Sequence, residues 1–170
     1  MKVVSEEGAD SGLLLAVADE IRPTDASGHG GEDSKWESVP LLHLRPAELD
    51  GLLWRVDLTG SWPMLEYEES VPDNRLEHFV RGQLFRSLVL PEVVRQILTK
   101  LVVEEKDLEH DEGTWQAGWI DLGGEWAGDD PPADKDDEAM IGWVEDAVRG
   151  FARATKAKLG FILSVTGETK

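Results

Sequence analysis

The chain has 170 residues and no cysteine, which excludes disulfide bonds, thiolate metal ligands and a thiol nucleophile. It also has no apolar run close to the roughly 20 residues that span a bilayer. The N-terminal apolar patch is short and has acidic flanks, unlike the patch of a secretory signal peptide. We therefore expect a cytoplasmic protein that makes no contact with a membrane.

The sequence also lacks the common motifs for nucleotides, acyl transfer and metals. It contains no G-x-x-x-x-G-K-[ST], no G-x-G-x-x-G and no G-x-S-x-G, so phosphate-binding loops and a serine nucleophile elbow are not predicted. The histidines do not have the local spacing of a zinc site; they are His29, His43, His78 and His110. We expect neither a cofactor nor a bound metal.

Basic residues are scarce. The chain carries 17 Lys and Arg against 35 Asp and Glu, a formal net charge of −18. This argues against direct binding of nucleic acid, because such binding neutralises phosphates with cations. The charge is unevenly distributed, since residues 104–146 contain 16 acidic residues and two lysines. The segments on either side, 75–103 and 147–170, are mildly basic, with five basic residues each.

The length suits one domain with a hydrophobic core, and the patterning predicts an α+β fold. In the first part, alternating apolar and polar residues between short turn sequences predict an antiparallel β-meander of about four strands. Three to four helices follow, and we expect them to pack on one face of the meander. The predicted strands are residues 12–21, 38–46, 51–58 and 62–69.

The helical part is predicted from apolar residues at spacings of three and four. Residues 73–105 are expected to form two helices, the second beginning at Pro91, since proline is well tolerated in a first turn. Another helix is predicted over 136–158, with Ile141 on its buried face. The closing sequence LGFILSV, residues 159–165, fits a last strand or a continuation of this helix, and its glycine favours the strand.

Residues 106–135 are the centre of the acidic block and hold three of the seven tryptophans. Trp115 and Trp119 are one helical turn apart, so we expect a short helix to begin there. Gly123 and Gly124 are predicted to stop it, because glycine has a low helix propensity. An irregular acidic loop is predicted to follow.

A hairpin is predicted from the sequence DLTGSWPMLEYEE, residues 57–69. Its Asp57, Glu66 and Glu68 resemble in outline the site of PD-(D/E)XK nucleases, in which carboxylates hold Mg²⁺ and a lysine assists the attacking water. Glu68 stands where those nucleases have the lysine. Alternating polar residues are also typical of the solvent-facing side of a half-exposed hairpin, and this interpretation is preferred.

Tryptophans inside an acidic segment allow two interpretations. Large aromatic residues often mark a protein-docking surface, and the predicted partner-binding residues are then Trp115, Trp119, Trp126, Asp129 and Asp130. Alternatively, the tryptophans fold back and anchor the acidic segment to the core. Both interpretations stay open at this point.

These observations predict a non-catalytic protein-interaction subunit of a bacterial multiprotein assembly. It docks through the acidic tryptophan-containing segment onto a protein with a basic surface. A second hypothesis is an inhibitor that mimics DNA, as in phage–host conflict, because carboxylates on a folded surface can imitate phosphates. A third is a divergent metal-dependent nuclease that uses Asp57, Glu66 and Glu68.

Overall fold

A computed structural model describes residues 41–70, 82–133 and 136–167. The strands are β1 (His43–Ala47), β2 (Trp54–Asp57) and β3 (Met64–Glu68), and the helices are α1 (Leu90–Leu98), α2 (Trp115–Ala127), α3 (Asp137–Ala154) and α4 (Ala157–Thr166). The predicted α+β class is confirmed, with three strands in the described ranges where about four were predicted. The strand predicted at 12–21 lies outside the described residues.

The order of the strands corrects the predicted antiparallel meander. The central strand is β3, which pairs antiparallel with β2, as the hairpin predicts, but parallel with β1. The connection from β1 to β2 turns through Asp50 and Gly51, both with positive φ, and contacts the end of β3, where Leu49 N donates to Glu68 Oε2. Alternation predicts which face a side chain occupies but not which neighbour a strand takes, so the sequence pattern is equally compatible with this order.

One face of the sheet shares a hydrophobic core with α1, α2 and α3. The sheet contributes Leu44, Leu65 and Tyr67, all buried. The centre of the core is α1, whose Ile97 and Leu98 are 0% exposed. The apolar stripe at helical spacing correctly predicted that α1 is buried.

The helix α1 is the middle of a longer helical run. A π-helical segment, Phe85–Val89, leads into it without a break, and a second one, Thr99–Glu105, continues it to Lys106, whose φ of 52° ends the run. The α-helix itself begins at Leu90 and has Pro91 in its first turn, as predicted, but the expected break before it is corrected, because the π-helical segment is continuous with it. The missing N–H of this proline falls where the hydrogen-bond ladder changes from π to α register, so the helix passes through it. Most of the helix predicted before it falls on residues 71–81, outside the described residues.

The helix α2 runs through the two glycines predicted to stop it and ends at Gly128, whose φ of 93° is left-handed. Gly123 faces α3, and a Cβ at this position would come within 2.5 Å of the Trp143 ring. The glycine therefore permits close packing of two helices. This packing outweighs the weak helix propensity of glycine, which was the basis of the prediction.

The helix α3 confirms the prediction over 136–158 to within a few residues. Asp136 is the N-cap, and its side chain accepts a hydrogen bond from Ala139 N. Ile141 is 51% exposed, so its predicted burial is wrong. The buried stripe of α3 runs through Met140 and Val144, and the residue after Met140 is rotated about 100° away from that stripe.

The closing sequence forms the helix α4, which corrects the strand favoured for residues 159–165. Its N-cap is Lys156, whose φ of 53° turns the chain between α3 and α4. Gly160 is buried against the side chain of Gln83 at the start of the helical run. Here glycine permits a close approach inside a helix, whereas the prediction interpreted it as a helix breaker.

Candidate functional site

The outer face of the sheet carries the predicted carboxylates together with two arginines. Strand register places Arg45 and Arg55 on either side of Glu66. Arg45 Nε donates to Glu66 Oε1 at 3.1 Å, and Arg55 donates to Oε2. Glu66 is 1% exposed, so a solvent-facing position is wrong for this residue. A carboxylate buried in this way requires such partners, because an unpaired buried charge is costly.

The same arginines favour the charged form of the acid. The hydrogen bond from Arg45 is the largest cause that lowers the pKa of Glu66 below its usual 4.5; burial opposes this effect and the bond from Arg55 assists it. The pKa of Asp57 is lowered chiefly by the side chain of Thr59. Thr59 Oγ1 donates to Asp57 Oδ1 at 2.6 Å, and its backbone N donates to the same oxygen at 2.9 Å. Arg45 also lies 3.6 Å from Asp57 Oδ2.

Glu68 has a structural contact of its own. Its side chain accepts hydrogen bonds from Leu49 N at 3.0 Å and from Ser70 N at 3.4 Å. Across the described ranges, no three His, Asp or Glu side chains are grouped so as to hold a metal ion. The three predicted carboxylates thus take part in an ion-pair cluster and in turns that join β1, β2 and β3.

Two of the three tryptophans predicted to bind a partner hold α2 against the segments that lead into β1 and β3. Trp115 and Trp119 are 8% and 6% exposed. Their indole N–H groups donate to Ser61 O at 2.9 Å and to Leu41 O at 2.7 Å. The anchoring interpretation is the one that this placement supports, because both rings lie beneath the surface.

Two further tryptophans hold the other end of α2. The ring of Trp126 packs edge-on against Phe151, with ring centroids 5.0 Å apart. Trp143 Nε1 donates to Asp129 O at 2.9 Å, which fixes the backbone just after α2. Sequence reasoning missed this contribution of Trp143, because a hydrogen bond to a backbone carbonyl 14 residues away leaves no residue pattern.

The acidic surface is formed by the carboxylates of α2 and of the segments beside it. Residues 107–133 contain eight Asp and Glu and no Lys or Arg, and all eight acidic residues are exposed. They are Asp107, Glu109, Asp111, Glu112, Asp121, Glu125, Asp129 and Asp130. The predicted partner-binding residues Asp129 and Asp130 therefore belong to a larger anionic surface.

A cleft of about 530 Å³ lies within the acidic surface. It is lined by Asp107, Leu108, Glu109, Ile120, Asp130, Pro131 and Ala133. Apolar side chains and carboxylates in one cleft suit a lysine or arginine side chain, whose aliphatic stem takes apolar contacts and whose end takes an anion. No residue pattern predicts this cleft, because Leu108 and Ile120 come together only through the fold.

Comparisons with known proteins do not assign the chain to a family. No protein-family model, curated protein or solved structure matches the chain. Among the helices of the described ranges, none is both long enough and apolar enough to cross a bilayer.

Proposed function

We propose that the protein is a non-catalytic interaction subunit of a multiprotein assembly, and that its acidic surface binds a basic segment of a partner protein. The observation that carries this proposal is the concentration of eight exposed carboxylates on residues 107–133, without one Lys or Arg. A concentration of exposed carboxylates attracts basic partners and accelerates their association.

The buried tryptophans contribute to this binding indirectly. Hydrogen bonds from Trp115, Trp119 and Trp143 hold α2 and the backbone at Asp129 in place. The carboxylates are then presented in one arrangement before the partner arrives, which lowers the entropic cost of association. Replacing a buried tryptophan with alanine costs about 3 to 5 kcal/mol of folding stability, so such variants would report unfolding and not binding.

The cleft gives the acidic surface one specific contact. We assign it to the aliphatic stem of a partner Lys or Arg, packed against Leu108 and Ile120, with the cationic end beside Asp107 or Asp130. Ala133 lines the cleft and is exposed, so Ala133→Phe would narrow the cleft without a change of charge. Weaker binding of this variant would support the cleft contact. Unchanged binding would mean that the partner contacts only the carboxylates around the cleft.

The main test compares two variants of the full chain that have equal net charge. The surface variant carries Asp121→Asn, Glu125→Gln, Asp129→Asn and Asp130→Asn. The control variant neutralises four exposed acids elsewhere, by Glu48→Gln, Asp50→Asn, Glu69→Gln and Glu138→Gln. Each protein is used to recover partners from an extract of the native host, and recovered proteins are quantified by mass spectrometry.

We expect a partner with a basic surface to be recovered with the unmodified chain and with the control variant. Its recovery should fall about tenfold with the surface variant, a loss of about 1.4 kcal/mol. Binding should also weaken steeply as salt rises from about 50 to about 200 mM, since the contacts are ionic and exposed. Equal losses with both variants, or no partner that depends on the four carboxylates, would contradict the proposal.

The DNA-mimic hypothesis adds one claim about the same surface, namely that the partner's basic cleft otherwise holds nucleic acid. The run of exposed carboxylates without cations favours it as a second candidate. Duplex DNA should then displace the protein from its partner in a competition experiment. If the complex persists in excess duplex DNA, the DNA-mimic hypothesis is excluded and the interaction-subunit hypothesis remains.

A further inference from the structure

The helix α4 leaves most of its apolar side chains uncovered. Of its ten residues, Ala157 and Gly160 are the buried ones. The exposed fractions of its large apolar side chains are Leu159 52%, Phe161 40%, Ile162 43%, Leu163 38% and Val165 65%. A helix that is apolar on all sides is normally buried in protein or lipid. We call these five side chains the apolar surface; exposure on this scale is typical of an interaction site.

Polar groups do not interrupt the apolar surface. Ser164 Oγ donates to Gly160 O at 2.9 Å, and Thr166 Oγ1 donates to Ile162 O at 3.0 Å. Both hydroxyl groups are therefore satisfied by the helix itself. The sequence from 159 to 167 contains no charged residue.

The helical run that contacts α4 extends this surface. Phe85–Val89 packs against α4, and the run carries Leu84 and Leu88, which are 49% and 56% exposed. Exposed apolar side chains therefore lie both on α4 and on the helical run that packs against it.

The apolar surface borders a basic end of the protein. Residues 147–167 contain four cationic residues and no Asp or Glu. The four are Arg149, Arg153, Lys156 and Lys158, and all are exposed. Arg149 pairs with Asp146 at 2.6 Å, whereas Arg153, Lys156 and Lys158 form no ion pair with a described residue. In a chain of net charge −18, this end has the opposite sign.

We propose that α4 and its basic border are a docking site for an amphipathic helix of a partner protein, with an apolar face and acidic flanks. Charge complementarity selects this occupant. The apolar face of such a helix would cover Ile162 and Leu163, and its carboxylates would approach Lys158 and its neighbours. This site is distinct from the acidic surface, so a single chain can engage two partners of opposite charge.

Two other occupants fit the charges less well. A second copy related by a two-fold axis would contact the same surface on both chains, which would bring the cations beside α4 close to their equivalents. An anionic bilayer would attract α4 but repel the rest of a chain with net charge −18. A partner helix with acidic flanks meets neither obstacle.

The test uses a synthetic, fluorescently labelled helical peptide of about 20 residues. It has Leu and Ile at spacings of three and four, with Glu on both flanks; a matched peptide has Gln in place of every Glu. Binding to the full-length protein is measured by fluorescence anisotropy. We expect the Glu peptide to bind about tenfold more tightly than the Gln peptide.

Variants of the protein locate the binding site. Ile162→Ser with Leu163→Ser should weaken binding of the Glu peptide about tenfold. Lys158→Gln with Arg153→Gln should reduce the preference for the Glu peptide over the Gln peptide. The matched control for the serine variant is Leu52→Ser with Leu53→Ser, which removes leucines that are 55% and 70% exposed elsewhere; Lys100→Gln is the control for loss of a cation away from α4. Neither control should change binding, and circular dichroism should be the same for all variants.

Three outcomes would overturn the proposal. The first is equal binding of the Glu and Gln peptides, and the second is unchanged binding after Ile162→Ser with Leu163→Ser. The third is an alternative occupant of the same surface. Self-association in sedimentation velocity, or flotation with phosphatidylserine–phosphatidylcholine vesicles, would assign α4 to a second copy or to a membrane if those two serine substitutions abolished it.

Discussion

At the scale of single residues, the Arg45–Glu66–Arg55 cluster joins all three strands through one buried carboxylate. Glu66 is 1% exposed, whereas the side chains of Arg45 and Arg55 are 51% and 55% exposed. The carboxylate is therefore removed from water, and its two partners are half solvated. Hydrogen bonds to charged groups are stronger than neutral ones, but the exposure of the arginines weakens the ionic part by solvent screening.

We predict that Glu66→Gln lowers the free energy of unfolding by about 1 to 2 kcal/mol at neutral pH, because two guanidinium groups lose their anion. Urea denaturation followed by circular dichroism measures this change. Glu48→Gln is the control, since Glu48 is exposed and its neutralisation should change stability by less than about 0.5 kcal/mol.

The pH dependence of the Glu66→Gln effect separates charge from packing. The pKa of Glu66 is lowered in the folded protein, first by the hydrogen bond from Arg45. Its contribution is therefore complete above the usual glutamate pKa of 4.5 and is lost as the pH falls through the lower folded value. The stability difference between the unmodified chain and the variant should shrink in that acidic range. A difference that stays constant there would mean that the charge of Glu66 is not responsible.

The residues of this cluster were only partly predictable from the sequence. Alternation predicts that Arg55 shares a face with Asp57 and that Glu66 shares one with Glu68. The presence of Arg45 beside Glu66 depends on the parallel pairing of β1 with β3, which a local pattern does not encode. If Arg45 is not known to lie beside Glu66, the alternation pattern predicts that the Glu66 carboxylate is exposed.

At the scale of elements, the errors in predicting α2 and α4 share one cause. The helices α1 and α3 were predicted because their apolar stripes are long and regular. In α2 and α4, glycine was interpreted by its local propensity, although Gly123 and Gly160 sit at close approaches to Trp143 and Gln83. Tertiary packing outweighs a propensity difference of about 1 kcal/mol, and the partner side chain is distant in sequence in each case.

Two glycines of α3 test whether close packing outweighs helix propensity. A Cβ at Gly150 would overlap the backbone carbonyl of Trp126, whereas a Cβ at Gly142 would meet no atom within 4 Å. Gly150→Ala should therefore destabilise the protein by about 2 to 3 kcal/mol, because α2 and α3 must separate. Gly142→Ala should stabilise it by up to about 1 kcal/mol through helix propensity. Thermal denaturation of both variants measures the effects, and a similar stability of the two would refute the close-packing explanation.

At the scale of the whole molecule, charge is separated along the chain. Residues 107–133 carry eight exposed carboxylates without Lys or Arg, and residues 147–167 carry four exposed cations without Asp or Glu. The sequence alone shows this separation, and the structure adds which side chains beside the charges are buried. Trp115 and Trp119 are buried beneath the acidic surface, whereas Leu163 and its neighbours are exposed beside the cations. Apolar contact with a partner is therefore expected mainly at α4.

The net charge of −18 also has a consequence for the stability of the fold. Like charges repel more strongly in the compact state than in the unfolded chain, and salt screens this repulsion. Raising NaCl from about 10 to about 200 mM should stabilise the protein by about 1 kcal/mol, or about 2 to 4 °C in melting temperature for a chain of this size. The variant with neutralised Asp121, Glu125, Asp129 and Asp130 should show a smaller rise, because part of the repulsion is already removed. A melting temperature that falls with salt in both proteins would mean that ion pairs such as Arg95–Glu145 outweigh the repulsion among the carboxylates.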